Sequence, residues 1–119
     1  SLSTTSDFEK VVKILNQYFQ GLYDGNHGAL RNICANDLVL STPHLRRPLN
    51  QWLHDVETRP IPKEMGEEYQ FKILSLDVVG HQAMAKLSCP LLGHPYIDFI
   101  GLLKEKSDWK IVSKMYCER

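Results

Sequence analysis

Asp98 is the residue of this chain whose type and position best suit chemistry. It lies within the apolar stretch YIDFIGLL. A carboxyl group in apolar surroundings holds its proton more firmly than it does in water, so it can act as a general acid, a general base or a hydrogen-bond donor. We therefore predict that Asp98 is catalytic. The alternative is that Asp98 and Lys114 form an ion pair that only stabilises the sheet.

Lys114 and Tyr116 are predicted to bind ligand because the expected pairing of two strands brings them close to Asp98. If residues 106–108 form the turn, Glu105 lies opposite Trp109, and Asp98 then pairs with Tyr116. The even-numbered positions share a mixed polar and apolar face: Tyr96, Asp98, Ile100, Leu102, Val112, Lys114 and Tyr116. The odd-numbered positions share an apolar face: Ile97, Phe99, Leu103, Trp109, Ile111 and Met115. A mixed face suits a pocket, whereas an apolar face suits the core or a subunit contact. A slip of one residue would exchange the two faces.

Two further ligand-binding candidates lie outside these strands. Trp52 belongs to an apolar helical face and could stack on a planar ligand at the floor of the pocket, although core packing is the commoner role of such a residue. His44 follows a short strand and could act as an acid or base at the pocket mouth, or be a solvated loop histidine. Arg46 and Arg47 could meet a ligand carboxylate or phosphate, but adjacent arginines are usually a solvated surface feature.

The elements that must position these residues are three helices followed by strands. Ser6 and Glu9 form a capping-box pattern at the start of the first helix, and Gly25 suits its end. Asn26 can cap a second, shorter helix. A short strand over 37–42 leads to a third helix with Pro48 in its first turn, which ends before Pro60. Four segments of period two follow, and they predict an antiparallel sheet: 68–79, 82–89, 95–105 and 109–117. We predict a single α+β domain over 1–119.

Composition excludes several classes of function. Fourteen basic residues balance fourteen acidic ones, which argues against nucleic acid and anionic membranes as partners. The opening SLSTTSD lacks the charged and apolar regions of a secretory signal, so we expect a cytoplasmic protein. Three cysteines without CxxC spacing favour reduced thiols, and five scattered histidines favour no metal site. The sequence also lacks a glycine-rich phosphate loop.

Two stretches carry a resemblance to a known superfamily: YFQGLYDGNHGALRNICANDLVLSTP at 18–43 and YIDFIGLLKEKSDWKIVSKMY at 96–116. They resemble the nuclear transport factor 2-like (NTF2-like) superfamily, with the lumazine-binding-like and SnoaL-like branches the most similar. The resemblance implies a cone-shaped α+β barrel in which three N-terminal helices pack on a curved antiparallel sheet. It also implies a conical pocket between helices and sheet, and a homodimer formed through the outer sheet face. Because this superfold carries many functions, it indicates fold more strongly than activity.

The same resemblance gives Tyr18 a candidate catalytic role. Tyr18 occupies the place of the oxyanion-stabilising tyrosine of ketosteroid isomerase, and Asp98 resembles the protonated aspartate of that enzyme. The alternative for Tyr18 is an aromatic in the buried stripe of the first helix. The catalytic base of the isomerase would fall on Thr42, and threonine cannot abstract a proton at neutral pH, so steroid isomerisation is not expected.

We therefore predict a domain that binds a compact, largely apolar or aromatic small molecule. If it is an enzyme, its chemistry is proton transfer without a cofactor, as an isomerase, cyclase or dehydratase. The alternative is a non-catalytic dimerisation or assembly domain, whose signature would be a filled pocket and a compact Asp98–Lys114 pair.

Overall fold

A computed structural model describes residues 6–119; residues 1–5, which belong to the stretch used to predict location, lie outside it. Within this range, three helices and six strands follow one another. Their order is α1 (Asp7–Asp24), α2 (His27–Ile33), β1 (Cys34–Thr42), β2 (Leu45–Pro48), α3 (Leu49–Thr58), β3 (Lys72–Val79), β4 (Gln82–Leu91), β5 (His94–Glu105) and β6 (Asp108–Glu118). The predicted α+β class is confirmed, with the three helices packed on a curved sheet.

The two predicted signals at the ends of α1 are both confirmed. The Ser6 side chain accepts a hydrogen bond from the Glu9 backbone amide at 3.1 Å, and this satisfies one amide that the helix itself cannot. Gly25 ends the helix with a φ of 62°, a left-handed conformation that glycine adopts without steric cost. The Asn26 side chain then accepts from the Ala29 amide at 3.0 Å, which starts α2 at the predicted place.

Close packing between α1 and α2 depends on a second glycine. A Cβ atom on Gly21 would lie 2.7 Å from Leu30 Cδ2, so a larger residue would require the Leu30 side chain or α2 to shift. The buried stripe of α1 faces α2 and the sheet: Val11, Leu15, Tyr18, Phe19 and Leu22. Burial of each such side chain contributes about 1.5–3 kcal/mol, so this stripe, more than helix propensity, holds α1 in place.

The strands form one sheet in the order β2-β1-β6-β5-β4-β3. All neighbours are antiparallel except β1 and β6, which pair in parallel, so the sheet is mixed. Strand β2 was not predicted. Its sequence LRRP has two adjacent arginines and a proline in place of an alternating apolar pattern, and it forms because it pairs with β1.

The β5–β6 hairpin has the predicted pairing around Asp98, but its turn is one residue shorter than predicted and a bulge restores the register. The turn has two residues, Lys106 and Ser107, both with positive φ, and Glu105 pairs with Asp108. A bulge at Val112, between the Gly101 and Leu102 pairs, takes up the remaining residue. The predicted pairs Asp98 with Tyr116 and Ile100 with Lys114 are therefore correct.

The bulge also corrects the predicted faces at the turn end of the hairpin. Trp109 and Ile111 were predicted to share the odd-numbered face with Phe99 and Met115, but they are buried with Leu102 on the opposite, inner face. The prediction was wrong there because one extra residue exchanges the faces on either side of a bulge.

Candidate functional site

Asp98 and Tyr18 meet in the interior of the domain. Asp98 projects inward from β5 with 2% of its surface exposed, and Tyr18 projects from α1 with none exposed. The Tyr18 hydroxyl donates to Asp98 Oδ2 at 2.6 Å, a distance typical of a charge-assisted hydrogen bond. Burial, together with the negative charge of Asp98, raises the pKa of Tyr18 well above 10.0, so the phenol keeps its proton.

Lys114 reaches the same carboxylate from β6. Its ammonium nitrogen lies 3.8 Å from Asp98 Oδ2 and 4.4 Å from the centre of the Trp52 ring, with the rings of Tyr18 and Tyr116 at 5.0 and 5.7 Å. Burial lowers the pKa of Lys114, and the Asp98 charge opposes that effect. Asp98 and Lys114 are the two charged residues classed as buried in the described part of the chain, so they form a compact, mutually compensating pair.

A small cavity opens beside this pair, between the helices and the sheet. Its volume is about 60 Å³. That is room for about two water molecules or for one compact head group. It is partly enclosed, and its lining is Leu22, Arg47, Trp52, Arg59, Cys89, Leu91, Tyr96, Asp98, Lys114 and Tyr116. The half-buried Tyr96 and Tyr116 mark the side on which the cavity meets solvent.

Larger depressions exist on the surface but lack buried chemistry. One of about 500 Å³ lies between α1 and the β5–β6 turn, and one of about 690 Å³ lies beside the β4–β5 turn. Both are open. The buried charged pair lies instead at the 60 Å³ cavity, which is therefore the better candidate site despite its size.

Arg47 is a second cationic residue in the cavity lining, and it is bound to two neighbouring side chains. From β2 it donates to Asp55 Oδ2 at 2.6 Å and to the Tyr116 hydroxyl at 2.7 Å, and 16% of its side chain is exposed. Its Nε atom is buried and has no hydrogen-bond partner among residues 6–119. Sequence reasoning favoured a solvated surface position for Arg47, which is wrong because β2 turns this side chain inward, whereas Arg46 is exposed.

Arg59 is the site residue that sequence reasoning missed. It follows α3 directly, and its Nη2 atom is buried without a hydrogen-bond partner in the described part of the chain. Burial lowers the pKa of the guanidinium group. One signal could have found it: Arg59 lies seven residues after Trp52, which places both on the same face of a helix.

The remaining predicted site residues fall into two groups. Trp52, Lys114 and Tyr116 line the cavity together with Asp98, while Tyr18 lies behind Asp98 and does not line it. His44 lies exposed in the turn between β1 and β2, away from the cavity lining.

Cys89 contributes a buried thiol to the cavity wall. It is 1% exposed, and burial, with the Asp98 charge adding to the effect, raises its pKa far above the ordinary value of 9.0. Cys34 is also buried, and its pKa rises to about 12 for the same main reason. Both thiols therefore stay protonated and unreactive while the domain is folded. Cys117 is exposed.

The described residues contain neither a metal-ligand cluster nor a helix that could span a membrane. Over 6–119, no three His, Cys, Asp or Glu side chains are grouped so that they could hold a metal ion. In the same range, no helix has the length and apolar character needed to cross a membrane.

Comparisons with known proteins agree with this fold. The family model described as "Putative lumazine-binding" matches residues 6–117, so the chain belongs to that family. No curated protein matches the sequence significantly.

Solved structures of NTF2-like proteins of unknown function share the fold. One from Shewanella baltica OS155 has a TM-score of 0.80 at 21% identity, covering 98% of each chain. One from Silicibacter pomeroyi DSS-3 has a TM-score of 0.78 at 21% identity, covering 99% of this chain and 100% of that one. One from Methylobacillus flagellatus KT has a TM-score of 0.77 at 18% identity, covering 98% and 95%. The predicted NTF2-like membership is confirmed.

Proposed function

We propose that this protein binds a small molecule in the cavity between α1, α3 and strands β4–β6. The observation that carries the proposal is that two arginines line a space walled by aromatic and apolar side chains, and each has a buried guanidinium nitrogen without a hydrogen-bond partner among residues 6–119. Buried polar groups are nearly always hydrogen-bonded in native proteins, so unpartnered donors at a cavity favour a ligand. The family description adds support for ligand binding as a general role.

The geometry favours binding over catalysis. A tyrosine that stabilises an oxyanion must direct its proton toward the ligand. Tyr18 directs its proton to Asp98 at 2.6 Å, and Asp98 also compensates Lys114. We infer that the main role of Tyr18 and Asp98 is to hold Lys114 in place. The predicted isomerase, cyclase or dehydratase activity would require the hydrogen bond between Tyr18 and Asp98 to open.

A fragment screen by amide-detected NMR tests the proposal. We expect some compact fragments to shift resonances of cavity residues and to lose that effect in Cys89→Met, which adds two carbon atoms inside the cavity. Cys117→Met is the matched control, because it adds the same group at an exposed position on the outer sheet face. Circular dichroism verifies that both variants fold. The proposal fails if millimolar fragments leave the cavity resonances unchanged, or if Cys89→Met binds them equally well.

The outer sheet face supports a second proposal, a homodimer. This face, defined by the outward residues of β1 and β4–β6, exposes a set of large apolar side chains: Val39, Met84, Phe99, Leu103 and Met115. Phe99 and Met115 are 44% and 50% exposed and pair directly across β5 and β6. Apolar and methionine-rich surface with few charges is typical of interface centres, and one self-complementary patch is enough for a two-fold dimer.

Light scattering coupled to size exclusion tests the dimer. We expect a dimer for the unmodified protein and a monomer for Phe99→Lys, because a charge at the centre of an apolar contact would be desolvated without a partner. Met65→Lys is the control, since Met65 is 64% exposed in a loop away from the sheet. A Phe99→Lys protein that remains dimeric would exclude this face.

A further inference from the structure

We propose that the ligand of the cavity is a compact monocarboxylic acid whose carboxylate is held by Arg59, an assignment that rests on the proposed binding function.

The cavity has one positive charge more than its protein partners compensate. Arg47 is paired with Asp55 at 2.6 Å, and Lys114 is paired with Asp98 at 3.8 Å. Among residues 6–119, Arg59 has no carboxylate within ion-pair distance and no hydrogen-bond partner for Nη2. Because arginine stays protonated in proteins, the charged lining residues together with Asp55 have a net charge of about +1 that an anion would neutralise.

The donors and the space favour a carboxylate over a larger anion. A guanidinium group presents a planar fork of N–H donors that matches the two oxygens of a carboxylate. Arg47, whose Nε is also without a partner among residues 6–119, lines the same cavity. A volume of about 60 Å³ suits a planar head group, and a phosphate dianion would exceed the single uncompensated charge.

The walls indicate what the carboxylate is attached to. Leu22, Trp52 and Leu91 line the buried part of the cavity, so the head group enters an apolar space. Tyr96 and Tyr116 form an edge-to-face pair with ring centres 5.5 Å apart on the solvent side. A small aromatic or aliphatic body can pack against these rings while its carboxylate reaches Arg59.

Calorimetric titration with matched acid and amide pairs tests the proposal. The probes are sodium acetate, butyrate, benzoate and phenylacetate, each paired with its neutral amide. We expect at least one acid to bind, and its amide to bind at least about tenfold more weakly, because a charge-assisted hydrogen bond contributes the equivalent of about a tenfold to hundredfold change in affinity. Inorganic phosphate and chloride at equal concentrations should not displace the acid.

The variant Arg59→Gln assigns the contact. It should weaken binding of the acid by about tenfold to hundredfold and leave the weak binding of the amide unchanged. Arg31→Gln is the matched control, because Arg31 is exposed on α2 and should leave both affinities unchanged. A melting curve for each variant confirms that the fold is intact.

The outcomes separate this proposal from the proposed function. Acid and amide binding equally to the cavity, or phosphate competing as well as the acid, would overturn the carboxylate assignment and leave small-molecule binding standing. Acid binding that survives Arg59→Gln would overturn the role of Arg59. A cavity that takes neither these probes nor any fragment of the NMR screen would overturn both proposals.

Discussion

The positive charges that line the cavity are partnered in different ways. Lys114 lies 3.8 Å from Asp98, and Asp98 also accepts a hydrogen bond from the Tyr18 hydroxyl. Arg59, by contrast, has a buried nitrogen without a partner among the described residues. Side chains that serve folding have their polar atoms satisfied, whereas an unsatisfied group costs stability and is retained where function needs it. The contrast indicates that Asp98, Lys114 and Tyr18 support the fold of this small site, whereas Arg59 serves ligand recognition.

Asp98→Ala should give the largest effect. It leaves the Lys114 charge buried without its carboxylate, and breaking a buried pair in this way costs about 3–5 kcal/mol of unfolding free energy. Urea denaturation measures the change.

The double variant Asp98→Leu with Lys114→Met is the control for the unpaired Lys114 charge of Asp98→Ala. Replacing both charges by apolar groups should recover most of the loss, and it remains informative if the single variant does not fold. A single variant within about 1 kcal/mol of the unmodified protein would show that the pair is not the support we infer.

Tyr18→Phe should have a smaller effect. It removes the donor to a buried carboxylate and keeps the ring, so a loss of about 1–3 kcal/mol is expected at neutral pH, again by urea denaturation. An unchanged midpoint would mean that the hydrogen bond contributes nothing to folding.

The pH dependence of that difference has a definite sign. Burial, with the Asp98 charge adding to it, raises the pKa of folded Tyr18 above its ordinary value of 10.0. The contribution of Tyr18 to the free energy of unfolding is therefore complete below pH 10.0. Above pH 10.0 it declines by about 1.4 kcal/mol per pH unit for one proton. The lowered pKa of Lys114, caused mainly by burial, acts with the opposite sign below 10.5, but it is present in both proteins. The stability difference between the unmodified protein and Tyr18→Phe should therefore shrink as pH rises above 10.0.

Arg59→Gln should have the smallest effect on the free energy of unfolding, and it tests most directly whether Arg59 differs from the paired charges. Removing an unpaired, partly buried charge should leave the free energy of unfolding unchanged or raise it by up to about 1 kcal/mol. Arg47→Gln is the comparison, since it breaks the contacts with Asp55 and Tyr116 and should lower stability by about 1–3 kcal/mol. Thermal melts without ligand measure both, and a clear loss in Arg59→Gln would show that Arg59 stabilises the fold.

The sequence predicts those parts of the fold that depend on local signals. Ser6, Gly25 and Asn26 mark the helix ends because capping involves residues within one turn. Strand β2 could not be predicted, since its four residues become a strand only through pairing with β1. The bulge at Val112 was missed because turn length and bulge compensate each other in the register.

The candidate site divides in the same way. Asp98, Lys114 and Tyr116 follow from strand alternation and a hairpin, both of which are short-range patterns. Arg59 does not, because its burial depends on how α3 packs against the sheet, and its spacing from Trp52 is a signal only once that packing is known. Tyr18 was placed by resemblance, and its direct bond to Asp98 joins residues 80 positions apart.

The buried thiol of Cys89 makes the cavity measurable without knowing the ligand. A thiol reagent can reach Cys89 only when the cavity wall opens. The modification rate of Cys89 divided by that of an unprotected thiol gives the equilibrium constant for this opening, and hence its free energy. Exposed Cys117 reacts first and serves as the internal clock in the same molecule. Any occupant of the cavity would slow the modification of Cys89 and leave that of Cys117 unchanged, so crude mixtures of metabolites can be searched by kinetics alone.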